Sequence, residues 1–121
     1  KMPKVLVVDA DKDFQELCSL YLEMKGYDIL RADNGVDAIG LLDHHRVDII
    51  VTEWMLPMLD GARFLEWITQ ESRESPPIVV LTAKEKSIEE GIIQAGADAV
   101  MYKPAKGADI LETLEGLMRE A

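Results

Sequence analysis

Short β-branched and aliphatic runs alternate along this chain with stretches whose apolar residues recur three and four apart, and the unit repeats five times. That alternation constrains the fold more than any other feature, because strands separated by helical segments pair in parallel and need helices on both faces of the sheet. The strand-like runs fall at 5–8, 27–32, 49–52, 78–81 and 99–102. Val5-Leu6-Val7-Val8 is apolar without a break, as expected of a strand buried on both faces. The second run mixes in Asp28 and Arg31 and reads as an edge. Five helical stripes follow the strands: one through Phe14, Leu17, Cys18, Tyr21 and Met24, and one through Ala38, Ile39, Leu41 and Leu42. A third runs through Phe64, Leu65 and Ile68, and the last through Ile110, Leu111, Leu114, Leu117 and Met118. Between these two lies the fourth helix, for which Ser87 and Glu90 have capping-box spacing and Gly96 is the expected end. Asp11 or Asp13 is placed to cap the first helix and Gly26 to stop it, while Asn34-Gly35 turns the chain into the second.

At 121 residues the chain is expected to form one domain, 1–121, able to bury a core without disulfides or a structural metal. No apolar run is long enough to cross a bilayer. Lys1-Met2-Pro3-Lys4 leads straight into the first strand and lacks the apolar region and cleavage site of a secretory signal. A cytoplasmic protein is expected, and Cys18, the single cysteine, reads as a small buried hydrophobe. Lys1 ahead of Met2 suggests a piece excised from a longer protein. The net charge of −10, with scattered cations, argues against direct binding to nucleic acid or to anionic membranes and serves solubility.

Ligands of open parallel sheets sit beyond the carboxyl ends of the strands. The residues there are Asp9-Ala10-Asp11, Glu53, Thr82-Ala83 and Lys103-Pro104. Carboxylates, a hydroxyl and an ammonium together suit a hard cation and a phosphoryl group. Asp9-Ala10-Asp11-Lys12 is not a Gly-rich phosphate cradle, so a nucleotide or flavin site is not expected. Cys18 is mid-helix and His44 and His45 lie away from the strand ends, so no nucleophilic enzyme is expected either.

Taken in order, several stretches resemble the receiver domain of two-component response regulators across almost the whole chain: Lys4 through Asp9, Ala32-Asp33-Asn34-Gly35, Asp48 through Met55-Leu56-Pro57 to Asp60-Gly61, Leu81-Thr82-Ala83, Gly96-Ala97-Asp98 and Lys103-Pro104. The resemblance implies a flavodoxin-like, doubly wound α/β fold, with a five-stranded parallel sheet in the order 2-1-3-4-5 and five flanking helices. It also implies a phosphoryl group taken from a sensor histidine kinase onto an aspartate ending the third strand, with magnesium bound beside it. Implied partners are a histidine kinase or phosphotransfer protein, an attached output domain, and a second copy as a homodimer.

Carried onto this chain, the acidic pair falls on Asp9 and Ala10, so one carboxylate is missing. The acceptor falls on Glu53, whose extra methylene displaces the carboxylate by up to about 1.5 Å, a shift in-line attack tolerates poorly. The backbone carbonyl that the family uses as a metal ligand falls on Met55, the phosphoryl-contacting hydroxyl on Thr82, and the family's lysine on Lys103. The aromatic three positions before that lysine is replaced by Val100. Tyr102 lies on the same strand face further along, and Ala105 stands where a bulky residue is common.

The expectation is therefore a receiver domain, not an enzyme, that serves as a phosphorylation-independent protein-interaction module. Magnesium at Asp9, Glu53 and the Met55 carbonyl would be weak or absent. The alternative is an active, magnesium-dependent phosphoacceptor. Glu53 reaching Lys103 either imitates a modified state or neutralises two partly buried charges. Asp11 is assigned to helix capping, and the two histidines to a solvated pair at a helix C-terminus. Trp54, Met55, Leu56, Met58 and Leu59 form an unusually apolar loop, read equally as interface and as packing. Trp67 and Tyr21 are assigned to the helix–sheet boundary.

Overall fold

Unbroken apolar runs place the strands in the middle of the molecule, and the computed structural model, which describes residues 2–71 and 75–120, arranges them as one parallel sheet. In chain order the elements are β1 (Lys4–Val8), α1 (Lys12–Met24), β2 (Asp28–Ala32), α2 (Gly35–Leu42), β3 (Ile49–Thr52), α3 (Gly61–Glu71), β4 (Ile78–Thr82), a 3-10 turn (Lys86–Ile88), α4 (Glu89–Ala95), β5 (Ala99–Tyr102) and α5 (Gly107–Glu120). The strand order is β2-β1-β3-β4-β5 and every pairing is parallel, the doubly wound arrangement expected. Lys1 and residues 72–74 and 121 lie outside the described residues.

Side chains alternate across the sheet, so each strand feeds two cores. Val5, Val7, Ile49, Val51, Val79 and Leu81 pack with Cys18 and Leu22 of α1 and Ile110 and Leu114 of α5. Leu6, Val8, Ile50 and Val80 face the other way, onto Ala38 of α2, Phe64, Leu65 and Ile68 of α3 and Ile92 of α4. Cys18 is 6% exposed, and its thiol is pushed up to about 11 by burial first and by the nearby Asp9 charge second, with Lys103 opposing. Asp28 and Arg31 of β2 are exposed, as its edge position requires. No helix among the described residues is long and apolar enough to cross a membrane.

Polar side chains fix where elements begin. Asp48, just ahead of β3, accepts the Lys4 N–H that opens β1 at 2.7 Å, and Asp98, just ahead of β5, accepts the Ile78 N–H that opens β4 at 2.7 Å. Asp11 is the N-cap of α1 and accepts the N–H groups of Asp13 and Phe14 at 3.1 and 3.2 Å. Gly26, at φ +96°, turns the chain out of α1 in the left-handed region that glycine tolerates.

One local expectation needs correction. The Ser87–Glu90 capping box does not form, because the 3-10 turn shifts the helix start to Glu89 and leaves Ile88 at the N-cap with no side-chain cap bond. The Ser87 hydroxyl instead donates to Glu85 Oε2 at 3.4 Å. His44 and His45 lie exposed just past the end of α2, as assigned, and His44 Nδ1 lies 3.1 Å from the Gly40 carbonyl.

Replacing Asp11 with alanine strands two N–H groups at the start of α1. The variant is expected to lose about 1 kcal/mol of stability, measured as a lower urea midpoint at unchanged slope.

Candidate functional site

Parallel pairing brings the ends of β1, β3, β4 and β5 to one edge of the sheet, with Val8 opposite Thr52 and Thr82 opposite Tyr102. The next residue after β1 is Asp9, after β3 Glu53 and after β5 Lys103, while Thr82 closes β4. Asp9 and Glu53 are 3% and 8% exposed, and Thr82 is fully buried.

The Lys103 ammonium joins the two carboxylates, 2.7 Å from Asp9 Oδ2 and 3.2 Å from Glu53 Oε1. It also lies 4.3 Å from the centroid of the Phe14 ring, a cation–π distance. The other carboxylate oxygens are taken by main chain. Asp9 Oδ1 accepts the Asp11 N–H at 2.9 Å, and Glu53 Oε2 accepts those of Trp54 at 2.6 Å and Met55 at 3.1 Å. Glu53 thus curls back over its own loop, and each of the four carboxylate oxygens already holds a donor. Burial works against the charge on Lys103, but the hydrogen bond to Asp9, the Asp9 charge and then Glu53 outweigh it and leave the ammonium pKa raised.

Asp9, Glu53 and Lys103 therefore meet as anticipated, whereas the other candidates take separate parts. Thr82 Oγ1 accepts the Lys84 N–H at 3.1 Å, and among the described residues it makes no hydrogen bond to Glu53. Met55 gives its N–H to Glu53 and exposes its side chain. Ala10 is exposed and brings no oxygen, Asp11 caps α1, and Val100 packs on the face that carries α4. Ala105 packs beside α1 and α5. The apolar loop divides: Leu56 is buried and Trp54 and Leu59 are half-buried, while Met55 and Met58 are 56% and 76% exposed, Met58 at a positive φ of 70°. Trp67 and Tyr21 are half-buried against the two cores, as assigned.

Magnesium takes six oxygen ligands in a near-ideal octahedron. Here the Asp9 and Glu53 oxygens are paired with donors, the Ala10 position lacks a carboxylate, and Asp11 is committed to the helix. Among the described residues no group of three or more His, Cys, Asp or Glu side chains could hold a metal ion. These residues do not fit a dedicated magnesium site.

Gln15 is the residue that the motifs missed. It is 2% exposed, and its amide nitrogen serves the carbonyls of Asp9 at 2.8 Å and Ala32 at 3.0 Å and Asp33 Oδ1 at 2.9 Å. Its oxygen accepts Arg31 Nε at 2.9 Å, so one amide ties the ends of β1 and β2 together. A signal existed: Gln15 precedes Cys18, Ser19 and Leu22 at three, four and seven positions, on the buried stripe of α1. Asp33 is also bonded to Lys12 at 2.7 Å, and that bond first, then Gln15, holds its carboxyl below the ordinary value.

A family model described as the response regulator receiver domain matches residues 5–115. The polar-differentiation response regulator DivK of Brucella anthropi is 32% identical over 123 residues, covering 99% of this chain and 100% of DivK. The alkaline phosphatase synthesis transcriptional regulatory protein PhoP of Bacillus subtilis is 31% identical over 119 residues, covering 98% of this chain and 49% of PhoP. The chain thus spans about half the length of several curated relatives and the whole of DivK. Among solved structures, the receiver domain of a Francisella response regulator has a TM-score of 0.89 at 28% identity, with 98% of each chain covered. The receiver domain of a sensor histidine kinase from Pseudomonas aeruginosa, solved with magnesium coordinated in its active-site cleft, has a TM-score of 0.88 at 26% identity, over 98% of this chain and 99% of that one.

Lys103→Met leaves two buried carboxylates side by side without a cation, and about 3 kcal/mol of stability should be lost near pH 7 in chemical denaturation. A raised folded pKa means that the Lys103 contribution is complete below the ordinary 10.5 and disappears as pH climbs through the raised value. The gap between parent and variant should accordingly stay level from about pH 7 to 9 and close above about 10.5.

Proposed function

This chain belongs to the response regulator receiver family, and we propose that within it the chain acts as a protein-interaction module that works without phosphorylation. The carrying observation is the saturation of the acceptor. Glu53 uses one oxygen on Lys103 and the other on two N–H groups of its own loop. In-line attack on a phosphoryl donor needs a carboxylate oxygen free and aligned, and Glu53 is both displaced by a methylene and held by donors. In this reading Lys103 is a resident counter-ion for Asp9 and Glu53, and magnesium binds weakly or not at all. The lack of a Thr82–Glu53 hydrogen bond favours a neutralising pair over imitation of a modified state.

Residues 1–121 are read as one receiver domain acting in the cytoplasm, with proteins as partners. Those partners are an output domain carried on the same chain, as the greater length of PhoP suggests, a histidine kinase or phosphotransfer protein, or a second copy. The net charge of −10 makes direct contact with nucleic acid or an anionic membrane unfavourable for this domain.

The test is exposure to a small phosphodonor with excess magnesium, followed by intact-mass measurement. An unshifted mass is expected, and a stoichiometric phosphoryl adduct would overturn the reading in favour of an active phosphoacceptor. Glu53→Asp combined with Ala10→Asp is expected to restore magnesium-dependent uptake, since it returns both missing features of the site. Continued inactivity of that double variant would place the block at Val100 and Ala105 or in a deeper rearrangement.

A further inference from the structure

We propose that Tyr102 and Glu89 form a clasp that holds α4 in one position against the end of β5. The Tyr102 hydroxyl donates to Glu89 Oε1 at 2.5 Å, a short hydrogen bond to a carboxylate and so among the stronger kinds. It joins the last residue of β5 to the first residue of α4.

α4 is the helix that most needs such a fastening. It has seven residues, too few to be stable alone, and Gly91 weakens it further. Its N-cap, Ile88, supplies no side-chain bond to the first turn. Only Ile92 is buried, whereas α3 buries Gly61, Phe64, Leu65 and Ile68. With so few contacts, one charge-assisted hydrogen bond carries a large share of what keeps α4 in place.

The strand side of the clasp is equally specific. Within β5, Ala99 and Met101 face the core that holds α1 and α5, and Val100 faces the core that holds α4. Tyr102 follows Val100 on that second face, and Val100 has no polar atom to offer. Tyr102 pairs with Thr82 in the ladder and immediately precedes Lys103, so the clasp ties α4 to the strand end that supplies the central ammonium. The phenol proton responds to the same contact: the Glu89 hydrogen bond first, then burial and the Glu89 charge, push the Tyr102 pKa up to about 12.

Amide hydrogen exchange followed by NMR on the whole chain tests the clasp with Tyr102→Phe, Glu89→Ala and the double variant. Each single change is expected to accelerate exchange in residues 91–95 about fivefold, the equivalent of one net hydrogen bond, while β1, β3 and α1 keep their parent rates. The double variant should exchange no faster than the more affected single, because both changes remove one interaction. A spectroscopic readout runs alongside: in Glu89→Ala the Tyr102 ionisation should fall from about 12 toward the ordinary 10.0. Unchanged α4 exchange in Tyr102→Phe, additive effects in the double variant, or uniform acceleration through the chain would each overturn the proposal. The outcome does not depend on phosphoryl uptake, so this inference and the proposed function can fail separately.

Discussion

Two carboxylates buried beside one another at the ends of adjacent strands need a cation between them, and Lys103 is that cation. Asp9 follows β1 and Glu53 follows β3, central strands whose ends lie side by side, while the ammonium arrives from the edge strand β5. The three charged groups therefore link one edge of the sheet to its middle. Phe14 supplies a ring face to the same ammonium, which brings α1 into the arrangement. Once Lys103 is in place, the remaining carboxylate oxygens close onto nearby N–H groups, and the strand ends are locked as a polar unit above two apolar cores.

Much of this was legible in the sequence, because the relevant signals are local or follow from topology. Short apolar runs gave the strands, and three-and-four spacing gave every helix but α4, which was read from its end signals. Residues just past the strands had to share one edge, so Asp9, Glu53 and Lys103 could be brought together by fold class alone. Gln15 escaped because its four partners belong to the turn after β1, to β2 and to the turn after β2, and a glutamine among apolar residues announces none of them. Ser87 misled for the converse reason. Its spacing to Glu90 is right, but a 3-10 turn costs little and moves the helix start past it. The loop after Glu53 was apolar by composition, and only tertiary packing separates buried Leu56 from exposed Met55 and Met58.

The extra methylene of Glu53 relative to an aspartate sets where its carboxylate lies. Its carboxylate reaches back to the N–H groups of Trp54 and Met55 while still touching Lys103, and so is tied to the loop and to the strand ends together. The loss of the neighbouring carboxylate at Ala10 acts in the same direction, since it lowers the demand for any further positive charge. Both changes leave the fold intact because strands, helices and caps draw on other residues.

Cys18 lies under α1 at the contact with α5, 6% exposed and with its thiol pushed up to about 11. Near neutral pH a thiol raised that far stays protonated, and burial hides it further. The sole sulfhydryl of the chain is thereby silent toward oxidants and alkylating reagents while the domain stays closed. A reagent that labels it has to come through the groove that Phe14, Leu17, Tyr21 and Ala105 line beside it, so labelling reports on access to the floor of that groove.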